Sequence, residues 1–226
     1  YELALLSAEY AREHGVETKI ALVSPERRPL AVLGADASRL VAGELAERGV
    51  RFIGDVTATS VRRDGSLALQ SDAAMKADRV VAAPQLRGRS ISGVPADRWG
   101  FVPTDAIGRV EGRVDVYAAG DMTTFPIKQG GLATQQADGI AHTIAAALGF
   151  TARELHAKRV LEVRLVGGQR PLSLRIELNE LGQPTTATLA HVRGEREPDW
   201  TKVFGRYLTP YLENRPPLAP SPLDAS

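Results

Sequence analysis

The chain has no cysteine. Structural disulfides, thiolate metal sites and any cysteine relay of electrons are therefore excluded from it. It also lacks an excess of charge of either sign. Its 28 Lys and Arg balance 27 Asp and Glu, a formal net charge of +1, so nothing marks a nucleic-acid partner. No apolar run approaches the ~20 residues that span a bilayer, and no secretory signal reads from the first residues. The expected location is the cytoplasm, with peripheral contact at a membrane left open. The four histidines, His14, His142, His156 and His191, are scattered without metal-ligand spacing. What the sequence does have is 43% hydrophobic residues in 226, enough core for one large domain or two small ones. Tyr1 stands where a complete reading frame has Met, in a segment that already reads as helix, so the expectation is an excised piece of a longer protein.

Residues 1–14 have helical spacing, with Leu3, Leu6 and Tyr10 on one face and Gly15 as a natural stop. Lys19–Ser24 reads as a short apolar strand. Asp36–Arg48 reads as a second helix, capped by Asp36 or Ser38 and ended by Gly49. Val50–Ile53 reads as another strand. Helix, strand, helix, strand is the rhythm of a parallel α/β sheet.

The rhythm then changes. Val56–Val61 and Ser66–Gln70 alternate apolar and polar residues around Arg63-Asp64-Gly65, a hairpin turn signal. Ala74–Ala77 is a candidate third strand. Asp78–Ala83 reads as a buried parallel-type strand, and residues 84–101 as a loop rich in Gly, Pro and Arg between two domains. Later, Val160–Val166, Leu172–Leu178 and Thr185–Leu189 read as antiparallel strands. Trp200–Leu212 reads as an aromatic-bearing helix, and the proline-rich tail after Asn214 as disordered.

The most informative stretch is Val114-Asp-Val-Tyr-Ala-Ala-Gly-Asp121, followed by Lys128-Gln-Gly-Gly-Leu-Ala-Thr-Gln-Gln-Ala-Asp138. It reads as a buried strand ending in Gly-Asp, a short loop and a long helix, Gly131–Leu148, that opens on glycines. A carboxylate and free helix N–H groups would then lie at the carboxyl end of a parallel strand, where open α/β sheets bind ligands.

These words, in this order, resemble the pyridine nucleotide–disulfide oxidoreductase superfamily, and within it the enzymes related to sulfide:quinone oxidoreductase and type II NADH dehydrogenase. Tyr1-Glu-Leu-Ala4 resembles the helix start of the NAD(P)-binding domain. Phe101-Val-Pro-Thr-Asp105 with Gly108-Arg-Val resembles the segment before the second flavin motif, and Val114–Asp121 that motif. Pro126-Ile-Lys-Gln-Gly-Gly131 with Gln135-Gln-Ala137 resembles the flavin-facing helix start. Phe204-Gly-Arg-Tyr-Leu208 with Pro210-Tyr-Leu212 resembles the closing segment. The resemblance implies an α/β fold: residues 1–100 as a partial Rossmann-like NAD(P)-binding domain with a β-meander, lacking its first strand and phosphate loop. Residues 101–150 would be the last strand and helix of an FAD domain, and 151–213 a C-terminal α+β interface segment, with 214–226 a disordered tail. No Gly-x-Gly-x-x-Gly motif is in the chain, and its lack of cysteine argues against persulfide chemistry.

The resemblance implies FAD with NAD or NADP as cofactors, and electrons passing from NAD(P)H through flavin to a quinone or similar small acceptor. The alternatives are a ferredoxin- or rubredoxin-type reductase and a non-catalytic dimerisation or interaction module; a homodimer is compatible with each. This chain alone is expected to be inactive. Asp121 would accept a hydrogen bond from a ribityl hydroxyl, with Gly120 allowing close backbone approach. The amides of Gly130, Gly131 and Leu132 would face the flavin's electron-accepting edge. Lys128 would add a positive charge there or be an ordinary surface lysine, and Gln129 would touch the ring. Glu26 would accept the adenosine ribose hydroxyls of NAD, or Arg27 and Arg28 would hold a 2′-phosphate, or all three would form a charged surface turn. Glu2 would lie near the nicotinamide, or simply favour a helix start. Lys202, Arg206 and the nearby aromatics would permit membrane contact.

Overall fold

The computed structural model describes residues 1–71, 73–83, 85–150, 159–165, 172–185 and 189–192. The chain divides into two compact units. One holds the described residues within 1–86 and 158–197, the other those within 87–157.

The first unit opens with α1, Glu2–Glu13, followed by β1, Ala21–Val23; α2, Ala35–Glu47; and β2, Arg51–Ile53. β1 and β2 pair in parallel, Leu22 beside Phe52 and Val23 beside Ile53, as the helix–strand rhythm leads one to expect. Gly15 and Gly49 follow the helices with φ of 64° and 68°, the usual left-handed exit from a helix. The buried face of α1 differs from expectation. Leu5 and Ala11 are buried, while Leu3 is 60% and Tyr10 63% exposed. The helix lays its small residues Ala4, Ala8 and Ala11 with Leu5 inward, and Tyr10 stacks instead on His14 with ring centroids 4.0 Å apart. The expected side-chain cap of α2 is also missing. Gly34 is its N-cap, Ser38 is buried, and Asp36 pairs with Arg39 along the helix surface.

A meander follows: β3, Ala58–Val61; β4, Leu67–Leu69; and β5, Ala74–Met75, all antiparallel neighbours. Its turn is built by Asp64, whose carboxylate accepts from the Ser66 amide (3.0 Å) and hydroxyl (2.7 Å). The parallel strand expected over Asp78–Ala83 does not form, and Val81 is 76% exposed. A strand exists only through its ladder, and among the described residues no strand lies beside this one.

The same unit contains a second antiparallel sheet: β6, Arg159–Leu165; β7, Leu172–Leu178; and β8, Leu189–Val192. Leu172, Leu174, Ile176 and Leu178 are all buried on β7, the alternation of a sheet with one covered face. Glu162 and Arg175 stand opposite each other and form an ion pair at 2.5 Å. The third strand is described at Leu189–Val192, paired with Leu172–Arg175 of β7; of the strand expected over Thr185–Leu189, residues 186–188 lie outside the described residues. The helix expected over Trp200–Leu212 and the tail lie outside the described residues.

In the second unit, the loop over residues 87–101 leads to an irregular β-structure around Val102, Val110 and Ala118, all buried, with Val94 and Val116 packed on them. Val102 bridges Thr123 in parallel, while Thr104 bridges Val110 and Arg109 bridges Tyr117. The buried strand expected over Val114–Gly120 is reduced to this. The chain bends at Val114 and Asp115, Val114 is 84% exposed, and Asp115 takes φ 58°. Only Val116 to Ala119 runs on toward the site. The long helix α3, Gly130–Ala147, follows, with Leu132 and Ile140 buried on it.

Candidate functional site

Two groups of the residues singled out by sequence come together, one in each unit. The first lies at the carboxyl end of β1. Tyr1 precedes α1, yet its hydroxyl donates to the Glu26 carboxylate just beyond β1. The same oxygen accepts from the Leu30 amide at 3.1 Å, and the ring stacks on Phe52. The Glu26 amide donates to Ser24 Oγ, and its carbonyl accepts from the Asp55 amide at 3.1 Å. Glu26 is therefore half-buried and fixed at both backbone and side chain, while Arg27 and Arg28 are exposed. Glu2 sits half-buried in the first turn of α1. Nothing in the sequence signals a Tyr1–Glu26 pair 25 residues apart.

Burial, first, and the hydrogen bond to Glu26 push the Tyr1 phenol up to about 12 from its ordinary 10.0. The sign follows from linkage: a raised folded-state pKa stabilises the fold below the unfolded value and loses that contribution as the pH rises from about 10 toward 12. Tyr1→Phe should therefore delete a phenolate absorbance that rises near pH 12. It should also flatten the fall in stability across that alkaline window, measured by denaturant unfolding at stepped pH. A phenolate step lost near the ordinary 10.0, with none lost near 12, would refute the pairing.

The second group lies where the irregular β-structure meets α3. Ala119 is extended, and Gly120 then turns to φ 75°, opening a single 3-10 turn, Gly120–Met122. The Gly120 amide donates to Gln136 Oε1 at 2.6 Å, and its carbonyl accepts from the buried Thr123 hydroxyl at 2.9 Å. Asp121 is thus held on a fixed turn with its side chain exposed, and it makes no hydrogen bond among the described residues. Lys128 is half-buried. Its ammonium donates to the Thr123 carbonyl and sits 4.1 Å from the centroid of the Phe101 ring. Burial lowers its pKa, and the charges of Asp121 and Asp97 work against that shift.

Gln129 is the N-cap of α3. Its side-chain oxygen accepts from the Leu132 amide at 2.8 Å, and its carbonyl from that of Ala133 at 3.0 Å. Leu132, expected to offer its amide to a ligand, has given it to Gln129, and its side chain is buried. Among the described residues, the amides of Gly130 and Gly131 are left as the unbonded donors of the first turn. Sequence reading placed Gln136 in the motif but not as the acceptor for the Gly120 amide, and it missed Thr123.

The arrangement fits the ribityl and ring end of a flavin. A carboxylate with no hydrogen bond among the described residues stands on the Gly120–Met122 turn, two unbonded amides open α3, and a half-buried ammonium lies on the loop between them. An Asp can accept from a hydroxyl, and the amides can meet a carbonyl gaining negative charge. The sequence has no Gly-x-Gly-x-x-Gly loop for the pyrophosphate end.

Comparison with known proteins gives the family and the fold. The family model for pyridine nucleotide-disulphide oxidoreductase matches residues 3–147. No curated protein matches the sequence. Among solved structures, the sulfide:quinone oxidoreductase from the hyperthermophilic bacterium Aquifex aeolicus aligns with a TM-score of 0.71 at 16% identity, over 94% of this chain and 53% of its own. LpdA from Mycobacterium tuberculosis gives 0.57 at 19%, over 77% and 38%. The ferredoxin reductase for the CYP199A2 system from Rhodopseudomonas palustris gives 0.55 at 19%, over 75% and 44%. At these identities the likeness is one of fold, and the chain spans about half or less of each structure's length. The family match covers well over half of the sequence, and its order of motifs agrees with the fold. The chain belongs to the pyridine nucleotide-disulphide oxidoreductase family, oxidoreductases that depend on FAD and NAD(P)H.

Proposed function

We propose that this chain supplies the nicotinamide-nucleotide half and the flavin-edge half of an enzyme that carries electrons from NAD(P)H through FAD to a small acceptor such as a quinone. Bound FAD would supply the hydride and electron chemistry. The chain's own residues would position and polarise. Asp121 would accept from a ribityl hydroxyl. Gly130 and Gly131 would donate to the ring's carbonyl edge, with the positive end of α3 behind them. Lys128, held by Thr123 and Phe101, would keep its charge at a fixed place beside Asp121. Gln129 and Gln136 would act through the backbone by fixing α3 and Gly120, and Glu2 and the Glu26 loop would face the nicotinamide nucleotide. The observation that carries this reading is Asp121, an unpaired carboxylate on a turn whose backbone is tied down on both sides.

The test uses the protein expressed from its complete reading frame, loaded with FAD. NADH and NADPH are mixed with it anaerobically, and flavin bleaching is followed. The reduced protein is then offered quinones and small iron–sulfur proteins. Rapid bleaching and turnover with quinone support the proposal; turnover with the iron–sulfur proteins alone moves the acceptor to the ferredoxin-reductase class. Asp121→Ala should weaken FAD retention by about tenfold or more, the worth of one hydrogen bond to a charged group. Its melting temperature should be unaffected. Full retention by that variant removes Asp121 from the site.

A further inference from the structure

The loop before Val102 gathers two guanidiniums on one indole. Arg87 lies 4.9 Å and Arg98 5.1 Å from the centroid of the Trp99 ring. Both arginines are exposed and Trp99 is half-buried. Neither guanidinium has a hydrogen bond or an ion pair among the described residues. The carboxylate nearest to them in sequence is already engaged: Asp97 Oδ1 accepts from the amides of Trp99 and Phe101, each at 2.8 Å. The backbone beneath is fixed. The Gly88 amide donates to the Trp99 carbonyl at 2.9 Å, the Asp97 amide to the Phe101 carbonyl at 2.7 Å, and the Gly100 amide to the Asp97 carbonyl at 3.0 Å. Arg87 is thereby tied to the turn that carries Arg98 and Trp99.

Two like charges on one ring repel. They lie within a Debye length, about 10 Å, of each other, so salt screens them only in part. The ring face attracts each guanidinium, but it adds no negative charge to set against the pair. The N–H donors lie in the plane of each guanidinium, and the exposure of both side chains leaves those donors open. An oxyanion held between the two would remove the repulsion and use the donors in pairs. A phosphate group suits this better than a lone carboxylate, because it brings up to two charges and three acceptor oxygens.

We propose that Arg87, Arg98 and Trp99 form a binding site for a phosphate group. It is built from none of the residues assigned above to the flavin or to the nicotinamide nucleotide. The two arginines are the anion contacts, and Trp99 holds them in place.

Binding tests it directly. The FAD-loaded protein from the complete reading frame is titrated by calorimetry with pyrophosphate at constant ionic strength. NAD⁺ and NADP⁺ are present in excess so that nucleotide sites are filled. One saturable site per chain is expected. Arg87→Ala and Arg98→Ala should each weaken binding by about tenfold or more, the loss of a hydrogen bond between charged groups, and the double alanine variant should abolish it. Arg87→Lys with Arg98→Lys keeps the charge but loses the forked donors, and should also weaken binding by about tenfold or more. Flavin retention and melting temperature should be unchanged in all of them, since both positions are exposed. Sedimentation with phosphatidylcholine vesicles containing phosphatidic acid separates the sources of the phosphate. Vesicle capture that the double alanine variant loses places it on a lipid headgroup; pyrophosphate binding without vesicle capture places it on a soluble molecule. The proposal is overturned if the unaltered protein binds neither probe, if the double alanine variant keeps the binding, or if the lysine variant binds as tightly as the unaltered protein.

Discussion

Gly120→Val should leave the full-length protein with FAD retention weakened by roughly a hundredfold, the largest loss expected from one change near the flavin edge. Three costs combine. Gly120 has φ 75°, a left-handed conformation that costs an L-residue about 1–2 kcal/mol. A Cβ there would lie 3.0 Å from the Cβ of Ala133 on α3, closer than ordinary packing, and valine's branches add to the crowding. The backbone cannot easily shift to relieve either, because its amide is held by Gln136 at 2.6 Å and its carbonyl by Thr123. Together these come to about 3 kcal/mol, or two decades in affinity, since any relief moves Asp121 and the start of α3 apart. Flavin content per protein after desalting, with the melting temperature, checks this. Asp121→Ala is the comparison, because it removes the proposed ligand contact without disturbing the turn. A Gly120→Val protein that keeps its flavin would show that the turn does not position the site.

The order of elements and the presence of the flavin-type words were legible in the sequence because they rest on local chemistry. Gly15 and Gly49 end helices, Asp64-Gly65 turns a hairpin, and alternation marks β7. The family match over residues 3–147 agrees with the order of the words. What was not legible depends on partners distant in sequence. The apolar runs at Asp78–Ala83 and Val114–Gly120 have the composition of buried strands, but composition does not supply a neighbouring ladder. On α1 the larger side chains drew the eye, while the close-packed face used alanines. At the site, the positions of Asp121 and the helix glycines could be read from the motif. The roles of Gln129 as a cap, Gln136 as the acceptor for Gly120 and Tyr1 as the partner of Glu26 could not. Each joins segments whose approach is decided by packing.

Gly88→Ala should cost about 2–3 kcal/mol, although the residue belongs to none of the motifs. The Gly88 amide donates to the Trp99 carbonyl at 2.9 Å, and the two backbones run against each other. An added Cβ would sit 2.0 Å from the Gly100 carbonyl oxygen and 2.2 Å from its carbon. Those atoms belong to the main chain, so no rotamer change relieves the contact. Gly100 is constrained in turn, because its own Cβ would lie 2.3 Å from the Gly88 oxygen and its φ is 86°. The approach also brings together the residues beside the two glycines: Arg87 and Arg98 lie 4.9 and 5.1 Å from the centroid of the Trp99 ring. Forcing the two loop segments apart should open that stack, so Trp99 emission should shift along with a fall in melting temperature of roughly 5–10 °C. Because Gly88→Ala and Gly100→Ala relieve themselves by the same separation, the double variant should cost clearly less than the sum of the singles. Strict additivity, or an unshifted Trp99, would mean the close approach is not what holds this loop.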